Sequence, residues 1–124
     1  MKKAEAKIIG LENCKVNNPI TFSIKIKGDV YGNEVAKLWI INSESQICWT
    51  NGKSLFNDGF DNIHYVDETF DFPKIVREYK LNPKTHKKIL IYEDKNECLL
   101  KKEGVYYLTG AIYDLPIFKE IMIG

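Results

Sequence analysis

Ile20-Thr21-Phe22-Ser23-Ile24-Lys25-Ile26-Lys27 alternates apolar and polar side chains without a break. Successive side chains of a strand point to opposite faces, so Ile20, Phe22, Ile24 and Ile26 share one face while Thr21, Ser23, Lys25 and Lys27 share the other. This is the pattern of a half-buried β-strand. The strand is entered from Asn17-Asn18-Pro19, a turn-prone triplet.

The same period recurs outward in both directions. Upstream, Ala6 to Ile9 is a short strand. Downstream, the stretch Gly28 to Asn33 punctuates the chain before a run from Val35 to Ile41. Leu38 and Ile40 lie on one face of that run and Trp39 and Ile41 on the other. Gln46 to Thr50 precedes Asn51-Gly52, a dipeptide that favours a hairpin. Lys87 to Tyr92, Val105 to Tyr113 and Ile117 to Ile123 complete the set, the last two joined at Asp114-Leu115-Pro116. Between residues 53 and 86 the pattern is mixed. Ile75, Val76 and Tyr79 have helical spacing, but Ile75, Arg77, Tyr79 and Leu81 alternate, and we read a strand. About seven strands separated by turn signals predict an antiparallel sandwich or barrel. No repeat, linker or low-complexity tract divides residues 1–124, which form one domain.

Composition narrows the function classes. The 124 residues are 44% apolar and 28% charged, ordinary for a folded domain. Eighteen basic residues face 17 acidic ones, which lacks the basic excess of a nucleic-acid binder. Seven Tyr, six Phe and two Trp favour strands and large contact surfaces. Met1-Lys2-Lys3 could open a secretory signal, but Ala4-Glu5-Ala6-Lys7 follows and no apolar segment develops, so an intracellular, cytoplasmic location is expected, with no membrane association. Cys14, Cys48 and Cys98 are widely scattered, without a Cys-x-x-Cys pair. They are buried thiols acting as small hydrophobes, or two of them pair as Cys48–Cys98 or Cys14–Cys98.

Lys102-Glu103-Gly104-Val105-Tyr106-Tyr107-Leu108 resembles the tyrosine-corner entry to strand F of immunoglobulin-like domains. The resemblance implies that Tyr106 is the corner, its hydroxyl bonding to the chain upstream. It places Leu108 where antibody domains keep a cysteine, Trp39 where they keep a core tryptophan, and Ile24 as the second-strand core partner. Glu78-Tyr79-Lys80-Leu81-Asn82-Pro83-Lys84-Thr85-His86-Lys87, together with Gly104-Val105-Tyr106-Tyr107, is similar to the intracellular proteinase inhibitor family and related stand-alone immunoglobulin-like domains. Lys84 departs from that pattern, which has glycine after the proline. The fold class expected is therefore all-β, an immunoglobulin-like antiparallel sandwich of about seven to eight strands.

No catalytic motif accompanies the two histidines. Nucleophilic catalysis needs a nucleophile, a base and a group that orients the base. His86 lies among Lys84, Lys87 and Lys88, and His64 lies between Ile63 and Tyr65. Asp58, Asp61, Asp67, Glu68 and Asp71 gather in a stretch without Lys or Arg, and such a loop could hold a hard cation through oxygen ligands. Asn57-Asp58-Gly59-Phe60-Asp61 lacks EF-hand spacing, and no metal or cofactor is assigned. Lys74 to Lys88 is basic. Aromatics on loops are frequent interface anchors. The expected binding loop is Trp49 to Tyr65, with Trp49, Asn51, Phe56, Asp58, Phe60, Asp61, His64 and Tyr65 as candidates. Closure of one end of the core is the competing role for its aromatics. These residues point to a non-catalytic module that binds another protein, as a protease inhibitor or adaptor. The alternative is a carbohydrate-binding sandwich resembling the recognition domains of polysaccharide exporters.

Overall fold

A computed structural model describes residues 3–32, 36–51, 60–73, 76–94 and 97–124. These residues form β1 (Glu5–Ile9), β2 (Phe22–Gly32), β3 (Ala36–Asn42), β4 (Ile47–Thr50), β5 (Phe60–Phe72), β6 (Val76–Leu81), β7 (Lys88–Asp94), β8 (Gly104–Ile112) and β9 (Leu115–Ile123). There are thus nine strands among the described residues rather than seven or eight. No helix among them is long and apolar enough to cross a membrane.

The strands pair antiparallel in the orders β1-β2-β5, β4-β3-β8-β9 and β6-β7. The first two sheets face each other across one core. Their order, first-second-fifth against fourth-third-eighth-ninth, is that of an immunoglobulin-like sandwich with a hairpin inserted before the last two strands. Core residues come from alternate positions of both sheets: Ile24, Ile26, Leu38, Ile40, Leu108, Ile112 and Ile121 are wholly buried. Burying each such side chain is worth about 1.5–3 kcal/mol.

Burial alternates through residues 20–27 as expected, although the strand itself begins at Phe22. The strand nevertheless runs on through Gly28, where a turn was expected, as far as Gly32. Gly28 has φ +129°, and a β-carbon there would overlap the Ala4 backbone. It lets the N-terminal segment cross close to the strand and does not end it. Gly110 plays the same part on β8, where a β-carbon would overlap the Lys37 carbonyl oxygen of β3.

Two turns differ from expectation. Asn51 does not open a hairpin: β4 pairs with β3, and β5 belongs to the opposite sheet. The Leu38 N–H donates to Asn51 Oδ1 at 2.9 Å, and the Asn51 N–H donates to the Leu38 carbonyl at 3.2 Å, so Asn51 extends the β3 edge beyond the last β4 pair. Gly52 lies outside the described residues. The final hairpin turns at Tyr113-Asp114, with Leu115 and Pro116 already paired in β9. β9 is an edge strand, where a proline's missing N–H is tolerated.

Tyr106 is a tyrosine corner. Its ring is buried, and its hydroxyl donates to the Lys102 carbonyl at 2.8 Å. Trp39 is not the core tryptophan. Leu38 and Ile40 take the inward positions of β3, and Trp39 is half-buried on the outer face. The buried tryptophan is Trp49 on β4, edge-on to Phe22 at 5.8 Å, while Phe22 stacks on Phe72 at 5.1 Å. None of the three cysteines is bridged: Cys98 is buried, Cys14 half-buried and Cys48 exposed.

Candidate functional site: an apolar outer sheet face

Of the expected stretch from Trp49 to Tyr65, residues 52–59 lie outside the described residues, and the described ones take separate positions. Trp49 sits in the core, 6% exposed, because β4 turns its ring between the sheets. Asn51 is committed to the β3 backbone. Phe56 and Asp58 lie outside the described residues. Phe60 and Asp61 open β5, with Phe60 opposite Gly32. His64 and Tyr65 follow on the same strand, exposed, opposite Val30 and Asp29. Tyr65 is therefore a strand residue on the outer face of the three-stranded sheet, away from Trp49 in the core.

The carboxylates separate likewise. Asp67 and Asp71 point outward from β5, Asp71 accepting from the Ser23 hydroxyl at 2.6 Å. Glu68 is half-buried and accepts from the Tyr113 hydroxyl at 2.6 Å. That contact ties β5 to the β8–β9 turn across the sandwich. Burial, and then the Glu68 carboxylate, push the Tyr113 hydroxyl above its ordinary range. Among the described residues, no three of His, Cys, Asp and Glu converge as metal ligands would.

A different surface emerges from the strand registers. On the four-stranded sheet, Thr50, Trp39, Thr109 and Phe118 form one outward row across β4, β3, β8 and β9. The next row is Ile47, Ile41, Tyr107 and Glu120, and beyond it Val105 faces Met122. Phe118, Ile47 and Met122 are 66%, 64% and 62% exposed. Tyr107 and Phe118 stack at 5.7 Å with an interplanar angle of 24°.

An antiparallel sheet with one solvated face ordinarily turns polar residues outward. The other sheet obeys that rule: its outer rows set Glu5 beside Lys27 and Asp67, Lys7 beside Lys25 and Thr69, and Ile9 beside Ser23 and Asp71. The four-stranded sheet breaks it. Both faces of β3 and β8 are mainly apolar, with Lys37 and Thr109 as polar exceptions on the outward side, so the period alone does not say which face is outward. The signal that could have found the surface is this double apolarity, Trp39 with Ile41 against Leu38 with Ile40.

Two shallow concavities accompany it. One of about 250 Å³ is lined by Glu12, Asn13, Lys15 and Asn18, and one of about 350 Å³ by Lys80, Leu81, Pro83 and Ile89 near the β6–β7 turn. The first also contains the half-buried Cys14 thiol, which burial and then the Glu12 carboxylate push above its ordinary range.

Compared with protein-family models, with curated proteins and with solved structures, the chain matches none. Strand order and geometry therefore define its class: an all-β sandwich with an immunoglobulin-like arrangement, one charged outer face and one apolar one.

Proposed function

We propose that the protein is a non-catalytic module that binds another protein through the outer face of the four-stranded sheet. One observation carries this reading: the contrast between that face, built of Trp39, Ile41, Ile47, Tyr107, Phe118 and Met122, and the charged outer face of the opposite sheet. Contiguous exposed apolar surface on a small domain marks an interaction site, and aromatics supply most of the binding energy. The aliphatic share favours a protein over a glycan. Sugars stack on free ring faces, whereas Tyr107 and Phe118 stack on each other. Inhibition of a protease is one form this binding would take.

The test compares three tagged proteins in capture from lysate. Wild type and Lys25→Glu, altered on the charged face, should recover the same partner. Phe118→Lys/Met122→Lys should lose it while keeping its β circular dichroism. Equal recovery by all three would remove binding from this face, and recovery of glycan alone would replace the protein reading.

A further inference from the structure

Among the described residues the β6–β7 strands pair only with each other, and the hairpin exposes Tyr79, Leu81, Ile89, Leu90, Ile91 and Tyr92, each 43–59% accessible. Paired residues point to the same side, which sets Tyr79 with Leu90 and Leu81 with Lys88 on one face, and Lys80 with Ile89 and Glu78 with Tyr92 on the other. Apolar and charged side chains therefore mix on both faces, and neither face is a clean surface for a lipid bilayer. A two-stranded hairpin is marginal in water unless a third strand or a packed face supports it.

The other half of the argument is β5. It ends the order β1-β2-β5, so one of its edges is unpaired among the described residues. It is the longest strand, at 13 residues, about 43 Å at ~3.3 Å per residue. The hairpin strands of 6 and 7 residues need only about half of that length. Charge picks β5 from the other edges. It carries Asp61, Asp67, Glu68 and Asp71 and no Lys or Arg, whereas β1 and β9 each balance one acid with one lysine and β4 has no charge. The end of the hairpin has the opposite sign: residues 80–88 carry Lys80, Lys84, Lys87 and Lys88 and no carboxylate. Like charge along an edge discourages indiscriminate pairing and admits a partner of opposite charge.

We infer that the occupant of the β5 edge is the β6–β7 hairpin of a second copy of this chain, the exchange being reciprocal. Only residues 73–75 separate β5 from β6, so donor and acceptor are consecutive along each copy's chain. Such a two-way exchange is isologous and closes as a dimer. It gives each hairpin a third strand and each three-stranded sheet further strands on its open edge. It is independent of the apolar face on the opposite sheet.

Sedimentation of the purified chain at rising concentration tests this. Wild type should pass from monomer to dimer, and raising the salt from ~0.1 M to ~1 M, which shortens the screening length from about 10 Å to about 3 Å, should weaken the dimer. Lys80→Glu/Lys88→Glu and Asp67→Lys/Asp71→Lys should each raise the dissociation constant by about tenfold or more. Mixing the two variants should restore a dimer, now a heterodimer, because each hairpin again meets an opposite charge. Hydrogen exchange on wild type needs no variant, and protection of β5 amides should rise with concentration. A chain that stays monomeric overturns the inference. So does a dimer indifferent to both charge reversals, or one broken only by Phe118→Lys, which would place self-association on the apolar face.

Discussion

The hydroxyls of Tyr106 and Tyr113 each make one bond that a phenylalanine would lose. At Tyr106 the acceptor is the Lys102 carbonyl four residues upstream, and the loss should cost about 1–3 kcal/mol. Tyr113 follows β8, in the turn to β9. Its ring is 9% exposed, and its hydroxyl meets a half-buried carboxylate. Bonds to ionised acceptors are the stronger kind, so Tyr113→Phe should cost at least as much as Tyr106→Phe when urea midpoints are compared. Cys98 makes a pH-dependent contribution. Burial pushes its thiol up to about 12 from an ordinary 9.0. Between those values the unfolded chain releases a proton that the folded chain keeps. The thiol's contribution is thus complete below pH about 9 and declines as pH rises towards about 12. The urea midpoint of wild type should therefore fall more steeply above pH 9 than that of Cys98→Ala, and parallel curves would remove Cys98 from the account. Thiol reagents at neutral pH should label exposed Cys48 first and Cys98 only as the domain opens.

β2, β3 and β6 show how far an element can be read from its residues. β2 is legible because one of its faces is buried and the other solvated, which is the situation that imprints a period of two. β3 is legible as a strand but not in orientation. Leu38, Trp39, Ile40 and Ile41 are all apolar, and the family resemblance put the wrong tryptophan inside. β6 and β7 are also legible as strands, β6 from the alternation of Arg77, Tyr79 and Leu81 against a competing helical spacing, although apolar and charged residues mix on both of their faces. Turn residues alone do not separate loop from strand between Trp49 and Tyr65. Asn51 reads as a turn former, yet its amide serves as a strand extension. The isolation of β6–β7 leads to a prediction at this scale. Replacing residues 76–94 with a short Gly/Ser linker removes no buried core residue among the described ones. The shortened chain should keep its β circular dichroism and lose less than about 1 kcal/mol of stability, as substitutions away from core features do. A loss several times larger would mean that the hairpin braces the sandwich.

At the scale of the molecule the two sheets enclose one core between a charged and an apolar exterior, and the two tryptophans sample both sides of the four-stranded sheet. Trp49 lies against Phe22 between the sheets, and Trp39 lies on the outer face between Thr50 and Thr109. Single-tryptophan variants Trp39→Phe and Trp49→Phe separate the two positions. A chain retaining only Trp49 should emit at shorter wavelength and resist quenching by iodide, while one retaining only Trp39 should be quenched readily. Because a single core joins the sheets, both probes should report the same urea midpoint after correction for each variant's stability, the behaviour of one cooperative unit. Trp49→Ala, which empties a core site, should cost about 3–5 kcal/mol. Trp39→Ala should cost much less and instead weaken the bound complex, by about 2 kcal/mol if Trp39 is an anchor of the apolar face. Adding the captured partner should shift the emission of the Trp39-only chain and leave the Trp49-only chain unchanged. The reverse response would place binding at the sandwich interior or its rim and withdraw it from the face.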